Sequence, residues 1–194
     1  EVKAYDVRGL TFVFDKDGSL YKRFLMLPKF FNLNQVEITQ YCNVKDKKIK
    51  SITEKEDGSL VAFMNLPDGT VFAKTIGSFD NDQTRAAMKI FNNDDKIQTF
   101  IKAFLNDGYT PIFEYVSWDN RIVLKYTTPQ LRLIGIRNNE NGTFLPGPLL
   151  EIVANKNNII VTKEIKEITL DELIEKSKIE EEKEGWVVEF EDGQ

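Results

Sequence analysis

Two turn sequences in the first half of the chain constrain its fold most, because each one joins two short runs of strand-forming residues. The turns are Asp17-Gly18 and Pro67-Asp68-Gly69. The runs that flank them are residues 7–14, 20–24, 60–65 and 70–74. An Asp-Gly turn between two such runs is typical of a β-hairpin. The first half of the chain is therefore predicted to form antiparallel sheet.

The remaining periodic segments predict further strands and three helices. Strands are predicted at residues 50–55, 112–117, 121–125, 130–137 and 186–190, with a shorter one at 159–162. Helical spacing of apolar residues predicts helices over residues 82–92 and 94–106, while residues 149–154 fit either type. The capping box of Thr169 and Glu172 predicts a third helix that runs to about Glu182. Together these elements predict an α+β fold, mainly antiparallel sheets with packed helices, over residues 1–194.

The absence of histidine removes several classes of catalytic site. The chain contains no histidine and a single cysteine, Cys42. Catalytic triads and histidine-rich zinc sites are excluded, and one thiol forms neither an internal disulfide nor a thiolate metal site. Chemistry must depend on Lys, Arg, Asp, Glu, Tyr or a hard metal ion held by carboxylates. We interpret Cys42 as an idle thiol in a reducing compartment; the alternative is a nucleophile without its usual histidine partner.

The net charge of −5 is not typical of a nucleic-acid-binding protein, but it is unevenly distributed. Residues 171–184 contain seven acidic residues and three lysines, a balance of 3 − 7 = −4. The rest of the chain is therefore close to neutral, which is compatible with a local basic groove.

The sharpest local motif is Lys55-Glu56-Asp57-Gly58-Ser59-Leu60. It places a lysine at the end of a predicted strand and a turn directly after it. A lysine amine that has lost its proton can act as a nucleophile, and a glycine lets the backbone approach a bound nucleotide closely. The alternative is a hairpin turn with a solvated lysine. A similar hexapeptide begins at Asp15, but there Lys16 directly precedes Asp-Gly, so we interpret Lys16 as a turn residue.

The Lys55 motif resembles motif I of the covalent nucleotidyltransferases, which include RNA ligases, DNA ligases and mRNA capping enzymes. Further blocks resemble the bacteriophage RNA ligase 1 family and occur in that family's order. They are Arg8-Gly9, residues 28–34, residues 113–116 with a continuation at 120–124, residues 131–137 and residues 184–188. The last three resemble motifs III, IIIa and IV. The resemblance covers nearly the whole chain.

This resemblance implies that residues 1–194 form a nucleotidyltransferase (adenylation) domain in which Lys55 carries AMP. Glu114 would accept hydrogen bonds from the ribose hydroxyls, and Glu184 would place a divalent cation, Mg²⁺ or Mn²⁺. The implied nucleotide-binding set is Arg8, Lys29, Phe31, Glu54, Gly58, Lys74, Glu114, Glu184 and Gly185. The alternatives are ordinary structural roles: surface charges for Arg8 and Lys29, core for Phe31, a salt-bridged strand residue for Glu114 and the end of an acidic helix for Glu184.

The chain departs from the family pattern in two places. The family usually has a lysine directly before Gly-Ser, where this chain has Ile76; we assign the role to Lys74, two residues earlier. The Lys-x-Lys strand of motif V, expected after motif IV, is absent from the 194 residues. We therefore expect a portion of a longer enzyme, incomplete at both ends, that binds nucleotide and adenylates itself poorly.

The function implied by the resemblance is that of an ATP-dependent RNA ligase, which forms phosphoric-ester bonds. ATP would adenylate Lys55, AMP would pass to a 5′-phosphate RNA end, and a 3′-hydroxyl end would displace the AMP. The expected partners are ATP, Mg²⁺ or Mn²⁺ and RNA. We expect a monomer without membrane association, in the cytoplasm of a phage-infected or other host cell, acting in RNA repair.

Two alternative functions stay open. The first is a DNA ligase or a GTP-using capping enzyme, against which residues 28–34 argue. The second is a non-catalytic nucleotide- or RNA-binding relative of the same fold.

Overall fold

The computed structural model describes residues 4–118, 128–180 and 183–194, and the elements named below all lie within them. The strands are β1 (Thr11–Phe14), β2 (Leu20–Phe24), β3 (Ile49–Glu54), β4 (Ser59–Asn65), β5 (Val71–Lys74), β6 (Tyr109–Val116), β7 (Gln130–Asn138) and β8 (Trp186–Phe190). The α-helices are α1 (Tyr41–Val44), α2 (Asp82–Asn93), α3 (Asp95–Asn106), α4 (Gly147–Lys156) and α5 (Leu170–Ile179). Short 3-10 helices span Ala4–Val7 and Glu37–Thr39.

The main core lies between α2, α3 and a four-stranded antiparallel sheet in the order β5-β4-β6-β7. Phe63 of β4 is at its centre, with its ring 5.6 Å from that of Phe91 on α2 and 5.7 Å from that of Phe113 on β6. Asn81 and Asp94 cap the two helices by accepting hydrogen bonds from backbone N–H groups of their first turns. This packing fixes the strands that carry part of the site.

Both predicted hairpins are confirmed, because β1 pairs with β2 and β4 pairs with β5. The predicted strand over residues 7–14 is wrong in its first half. Gly9 has a φ of 73°, and the N–H of Leu10 donates to the carbonyl of Val7, so the chain turns before β1 begins at Thr11. The sequence pattern of apolar residues did not reveal this turn.

A separate two-stranded antiparallel sheet pairs β3 with β8, which lie far apart in the sequence. Its strands are only partly buried, and Ile52 is its most deeply buried residue, at 2% exposure. We call this two-stranded sheet the ribbon. The strand predicted at residues 186–190 is confirmed, and its partner could not be read from the sequence.

Residues 149–154, whose pattern fits either type of element, belong to helix α4. Three predictions of element ends are corrected. Helix α5 ends at Ile179, before the predicted end at Glu182, because Glu180 adopts an extended conformation. Residues 159–162 form only an isolated bridge, through Val161 to Leu133, because the contact with β7 is too short to make a strand. β6 begins at Tyr109 and not at residue 112. It tolerates Pro111 because its ladder with β4 ends at Ile112.

The predicted strand over residues 121–125 and the block at 120–124 lie outside the described residues. The α+β class with antiparallel sheets is confirmed. Among the described residues, no helix is both long enough and apolar enough to cross a membrane.

Candidate active site

The ribbon brings Lys55 and Glu184 together. Its register pairs Glu54 with Trp186, and the backbone N–H of Lys55 donates to the carbonyl of Gly185 at 2.9 Å. The Nζ of Lys55 forms an ion pair with Oε1 of Glu184, and the two side chains are 31% and 22% exposed. Two residues that the family resemblance assigned to one site, Lys55 and Glu184, are therefore in direct contact.

The ribbon carries a second ion pair directly beside the first. Lys183 Nζ donates to Oε1 of Glu54 at 2.6 Å, and it also lies 3.4 Å from a carboxylate oxygen of Glu180. The hydrogen bond to Glu54 is the main reason that the pKa of Lys183 is raised above its ordinary value. Glu54, predicted to bind nucleotide, thus uses its carboxylate to hold Lys183.

The turn after Lys55 is packed against the four-stranded sheet. A Cβ atom on Gly58 would collide with the backbone carbonyl of Tyr115 on β6, which leaves no room for any other residue. The sequence analysis explained Gly58 by the approach of a nucleotide, whereas the structure shows a close approach of β6. Because Tyr115 follows Glu114, this contact sets the position of the Lys55 turn relative to Glu114.

Glu56 anchors the same turn from its other side. Its carboxylate accepts hydrogen bonds from Arg132 of β7 at 3.1 Å and from the Thr162 hydroxyl at 3.0 Å. Glu56 is 8% exposed, so these contacts offset the cost of burying its charge. The sequence analysis assigned it no role, because Glu56 reads as a turn residue.

A cleft of about 710 Å³ opens between the ribbon and the four-stranded sheet. Five of the predicted residues line it: Arg8, Glu54, Lys55, Gly58 and Glu114. Apolar and neutral polar side chains that the sequence analysis did not assign also line it, among them Phe30, Asn32, Ile76, Asn81, Gln83 and Ile134. Asn81 was detectable only as a helix cap, and Asn32 only as part of the block at residues 28–34.

Glu114 is the most strongly perturbed acid of the cleft. Burial raises its pKa to about 8, and the carboxylates of Glu184, Glu56 and Asp57 act in the same direction. The Lys55 ammonium opposes them, but its effect is smaller than that of burial. Near neutral pH, Glu114 therefore holds a proton for much of the time.

Lys74 is turned away from the cleft into its own loop. It is 6% exposed, and its Nζ donates to the carbonyls of Thr75 at 3.0 Å and Ile76 at 2.8 Å. Burial lowers its pKa from the ordinary lysine value. Among the described residues that line the cleft is Ile76, two residues further along the chain, but not Lys74. The Lys74 ammonium therefore stabilises the loop that borders the cleft.

Lys29 and Phe31 contact each other and the N-terminal turn. The Nζ of Lys29 lies 4.9 Å from the centre of the Phe31 ring, which packs edge-on against Tyr5 at 5.0 Å. Neither residue is among the described residues that line the cleft, whereas Phe30, between them, is. The block at residues 28–34 thus reaches the cleft through side chains other than the two predicted.

Glu184 is the residue to which the family resemblance assigns a divalent cation. Among the described residues, no group of three or more histidine, cysteine, aspartate or glutamate side chains is arranged to hold a metal. Mg²⁺ suits such a place, because it usually keeps several waters and binds one or two carboxylates plus substrate phosphates. The donor chemistry of Glu184 fits this arrangement.

Cys42 is exposed and free.

Comparison with known proteins identifies the family. A family model described as RNA ligase matches residues 6–194. A curated Thermovibrio ammonificans protein named "Putative RNA ligase" is 31% identical over 140 residues, which are 72% of this chain and 36% of that protein. The chain thus spans about a third of the length of this curated relative.

Solved structures share the fold. An archaeal ATP-dependent RNA ligase matches 94% of this chain and 48% of its own, with a TM-score of 0.69 at 15% identity. A Naegleria gruberi RNA ligase solved with ATP and Mn matches 95% of this chain and 71% of its own, with a TM-score of 0.60 at 13% identity. The fold is therefore that of the nucleotidyltransferase domains of RNA ligases, and the chain belongs to the RNA ligase family, as its motifs predicted.

Proposed function

We propose that this chain is the nucleotidyltransferase domain of an ATP-dependent RNA ligase in which Lys55 becomes covalently linked to AMP. The observation that carries the proposal is the contact of Lys55 with Glu184, 129 residues away, beside a cleft that Glu114 also lines. The family assignment supports RNA as the substrate class. The Naegleria relative, solved with ATP and Mn, supports ATP and a divalent cation.

The first step would join Lys55 to AMP. The lone pair of the neutral Lys55 amine attacks the α-phosphorus of ATP, an N–P bond forms, and the P–O bond to the leaving pyrophosphate breaks. The amine gives up a proton to solvent before this attack, and Glu184, which accepts a hydrogen bond from Lys55 Nζ, holds the amine beside the cleft. Arg8 lines the cleft as a guanidinium that can pair with phosphate oxygens.

Two displacements at phosphorus would complete the reaction. A phosphate oxygen of the 5′-phosphate RNA end attacks the α-phosphorus of Lys55-AMP, the N–P bond breaks, and the lysine amine regains a proton. The oxygen of a 3′-hydroxyl end then attacks the phosphorus of the adenylated RNA end, and AMP leaves with the bridging oxygen. Such in-line reactions depend on positioning and on neutralisation of phosphate charge.

Glu114 would recognise the ribose, and Glu184 would hold the divalent cation. The ribose hydroxyls donate to the Glu114 carboxylate, so a proton and the nucleotide compete for the same oxygens. Glu184 would hold Mg²⁺ or Mn²⁺ there, and such an ion would neutralise negative charge on the phosphates of ATP. Glu54, Gly58, Gly185, Lys29, Phe31 and Lys74 complete the proposed nucleotide-binding set.

The nucleophile can be tested with ATP labelled at the α-phosphate. We expect Lys55→Ala and Lys55→Arg to reduce covalent labelling to below about one thousandth of the wild-type level, because the attacking amine is removed or cannot be deprotonated. Lys50→Ala is the matched control, since Lys50 lies on the same strand and pairs with Glu189 at 2.7 Å. Mass spectrometry should place one AMP on the peptide that contains Lys55.

The choice of nucleotide and polynucleotide separates the related functions. Labelling by ATP and not by GTP, followed by AMP transfer to 5′-phosphate RNA and not to nicked DNA, is the expected result. ATP binding with no covalent label, on a longer chain that extends past Gln194 as well as on these 194 residues, would instead indicate a non-catalytic nucleotide-binding module. Normal labelling of Lys55→Ala would refute the assignment of the nucleophile.

A further inference from the structure

We propose that Lys183 is a positioning residue that holds Glu184 against Lys55 through its own ion pair with Glu54. The proposal rests on the proposed function, because it concerns the residue next to the expected cation ligand. Its basis is the geometry of the ribbon, where two ion pairs of opposite polarity lie side by side. Glu54-Lys55 is an acid followed by a base, and Lys183-Glu184 is a base followed by an acid.

Backbone structure alone holds Glu184 weakly. Strand β8 begins only at Trp186, so residues 183–185 lie outside any helix or strand. Gly185 has a φ of 137°, and among the described residues, its two chain neighbours aside, no atom lies within 4 Å of the position that a Cβ would take there. The hydrogen bond from the Lys55 N–H to the Gly185 carbonyl is a backbone contact of this segment with β3. Side-chain contacts must therefore contribute to placing the Glu184 carboxylate.

Lys183 is suited to that task because it is fixed at several points. Its Nζ donates to Glu54 at 2.6 Å, lies 3.4 Å from Glu180, and sits 5.8 Å from the centre of the Trp186 ring. Its side chain is only 26% exposed. An ion pair of this kind, shielded and with several partners, holds its geometry better than an exposed pair between two mobile side chains.

The two ion pairs differ in what the reaction does to them. When Lys55 carries AMP, its nitrogen is part of an N–P bond and is no longer an ammonium, so its pair with Glu184 is lost. No bond of Lys183 or Glu54 changes in the reaction. Lys183 therefore keeps Glu184 beside the nucleotide in the state where Lys55 cannot.

The test replaces Lys183 with Met, which has a similar length and no charge, and with Arg, which keeps the charge. The first readout is the Mn²⁺ concentration that gives half-maximal labelling by ATP. We expect Lys183→Met to raise it roughly tenfold, the size of effect seen when a residue that orients a metal ligand is lost. Lys183→Arg should restore it to near the wild-type value. Lys50→Met, which breaks the Lys50–Glu189 pair at the other end of the ribbon, should leave it unchanged.

The second readout needs no activity: hydrogen exchange of the Lys55 amide, which donates to Gly185. We expect the Lys55 amide to exchange faster in Lys183→Met than in the wild type, and at the wild-type rate in Lys50→Met. Wild-type values of both readouts in Lys183→Met would overturn the proposal. The proposal would also be overturned if neither Lys183→Met nor Lys183→Gln folds, because the Lys183–Glu54 ion pair would then be needed for the whole fold. If neither the wild type nor a longer chain that extends past Gln194 takes a label, the proposed function fails, and the amide exchange still decides whether Lys183 positions this segment.

Discussion

The two sheets that form the cleft are stabilised in different ways. The four-stranded sheet is apolar, with Val61, Ala62, Phe63 and Met64 of β4 all fully buried. The ribbon is partly exposed, and ion pairs at Lys50, Lys55 and Lys183 accompany its backbone ladder. One wall of the cleft is therefore fixed by packing, whereas the other combines a backbone ladder with partly exposed charge pairs.

This difference explains how the site can be ordered and still reactive. Packing density makes a buried sheet rigid, so Glu114 and the turn at Gly58 have a fixed position. Partly exposed ion pairs each contribute about 0–1 kcal/mol and can be exchanged for other partners. The residues that must change partners during the proposed reaction, Lys55 and Glu184, lie on the wall where such exchange costs least.

The largest expected difference between the two walls is in how much an apolar side chain of each contributes to the free energy of unfolding. Phe63→Ala should lower the free energy of unfolding by about 3–5 kcal/mol, because it leaves a cavity among Phe91 and Phe113. Val188→Ala on the ribbon should cost about 1 kcal/mol, since that side chain is only partly buried. Urea denaturation measures both. Equal losses would mean that the ribbon is packed as tightly as the core.

The next effect concerns the contact between the walls. Gly58→Ala should lower the free energy of unfolding by about 2–3 kcal/mol and reduce labelling by ATP, because the new methyl group displaces the Lys55 turn from β6. Gly77→Ala is the matched control: Gly77 also lines the cleft, but nothing lies within 4 Å of its Cβ position. Its stability should change by less than about 0.5 kcal/mol. A harmless Gly58→Ala would show that the turn can move independently of β6.

The smallest expected effect is a change in how the free energy of unfolding depends on pH. The folded protein holds the Glu114 proton up to about pH 8, whereas the unfolded chain releases it near its ordinary value of 4.5. Between these values the folded state binds more protons, so the contribution of Glu114 to the free energy of unfolding falls as the pH rises. Glu114→Gln removes this dependence.

The Glu114→Gln variant and the wild type should therefore be similarly stable at pH 4.5 and diverge above it. By pH 8.5 the variant should be the more stable by on the order of 2 kcal/mol, a value reduced from the full shift because the side chain is partly exposed. Thermal unfolding in a pH series measures the difference. Parallel curves for the two proteins would show that Glu114 titrates normally in the fold.

Local sequence signals predicted the elements well and their long-range pairing poorly. The turns at Gly18 and Gly69 and the cap at Thr169 act within a few residues, so the sequence alone predicted them. The pairing of β3 with β8 depends on contacts across more than 120 residues, and no local pattern specifies it. Only the family resemblance placed Lys55 and Glu184 in one site.

The orientation of side chains in loops was the other part that could not be predicted. Phe30 lines the cleft whereas Phe31 packs on Tyr5, and Ile76 lines it whereas Lys74 binds its own loop. Strand alternation tells which face a residue occupies, but these segments have no such period. The roles of Phe31 and Lys74 in nucleotide binding stay predictions.

The steric clash that any side chain at position 58 would make with β6 has a practical use. It means that the glycine serves the architecture, while the lysine three residues earlier serves the proposed chemistry, so Lys55 can be replaced without disturbing the turn. A protein with Lys55 replaced and Gly58 kept should retain the shape of the cleft without forming a covalent bond. On the proposed function, such a variant would serve as a scaffold for a reversible nucleotide sensor, with its signal coming from a label placed on the partly exposed ribbon.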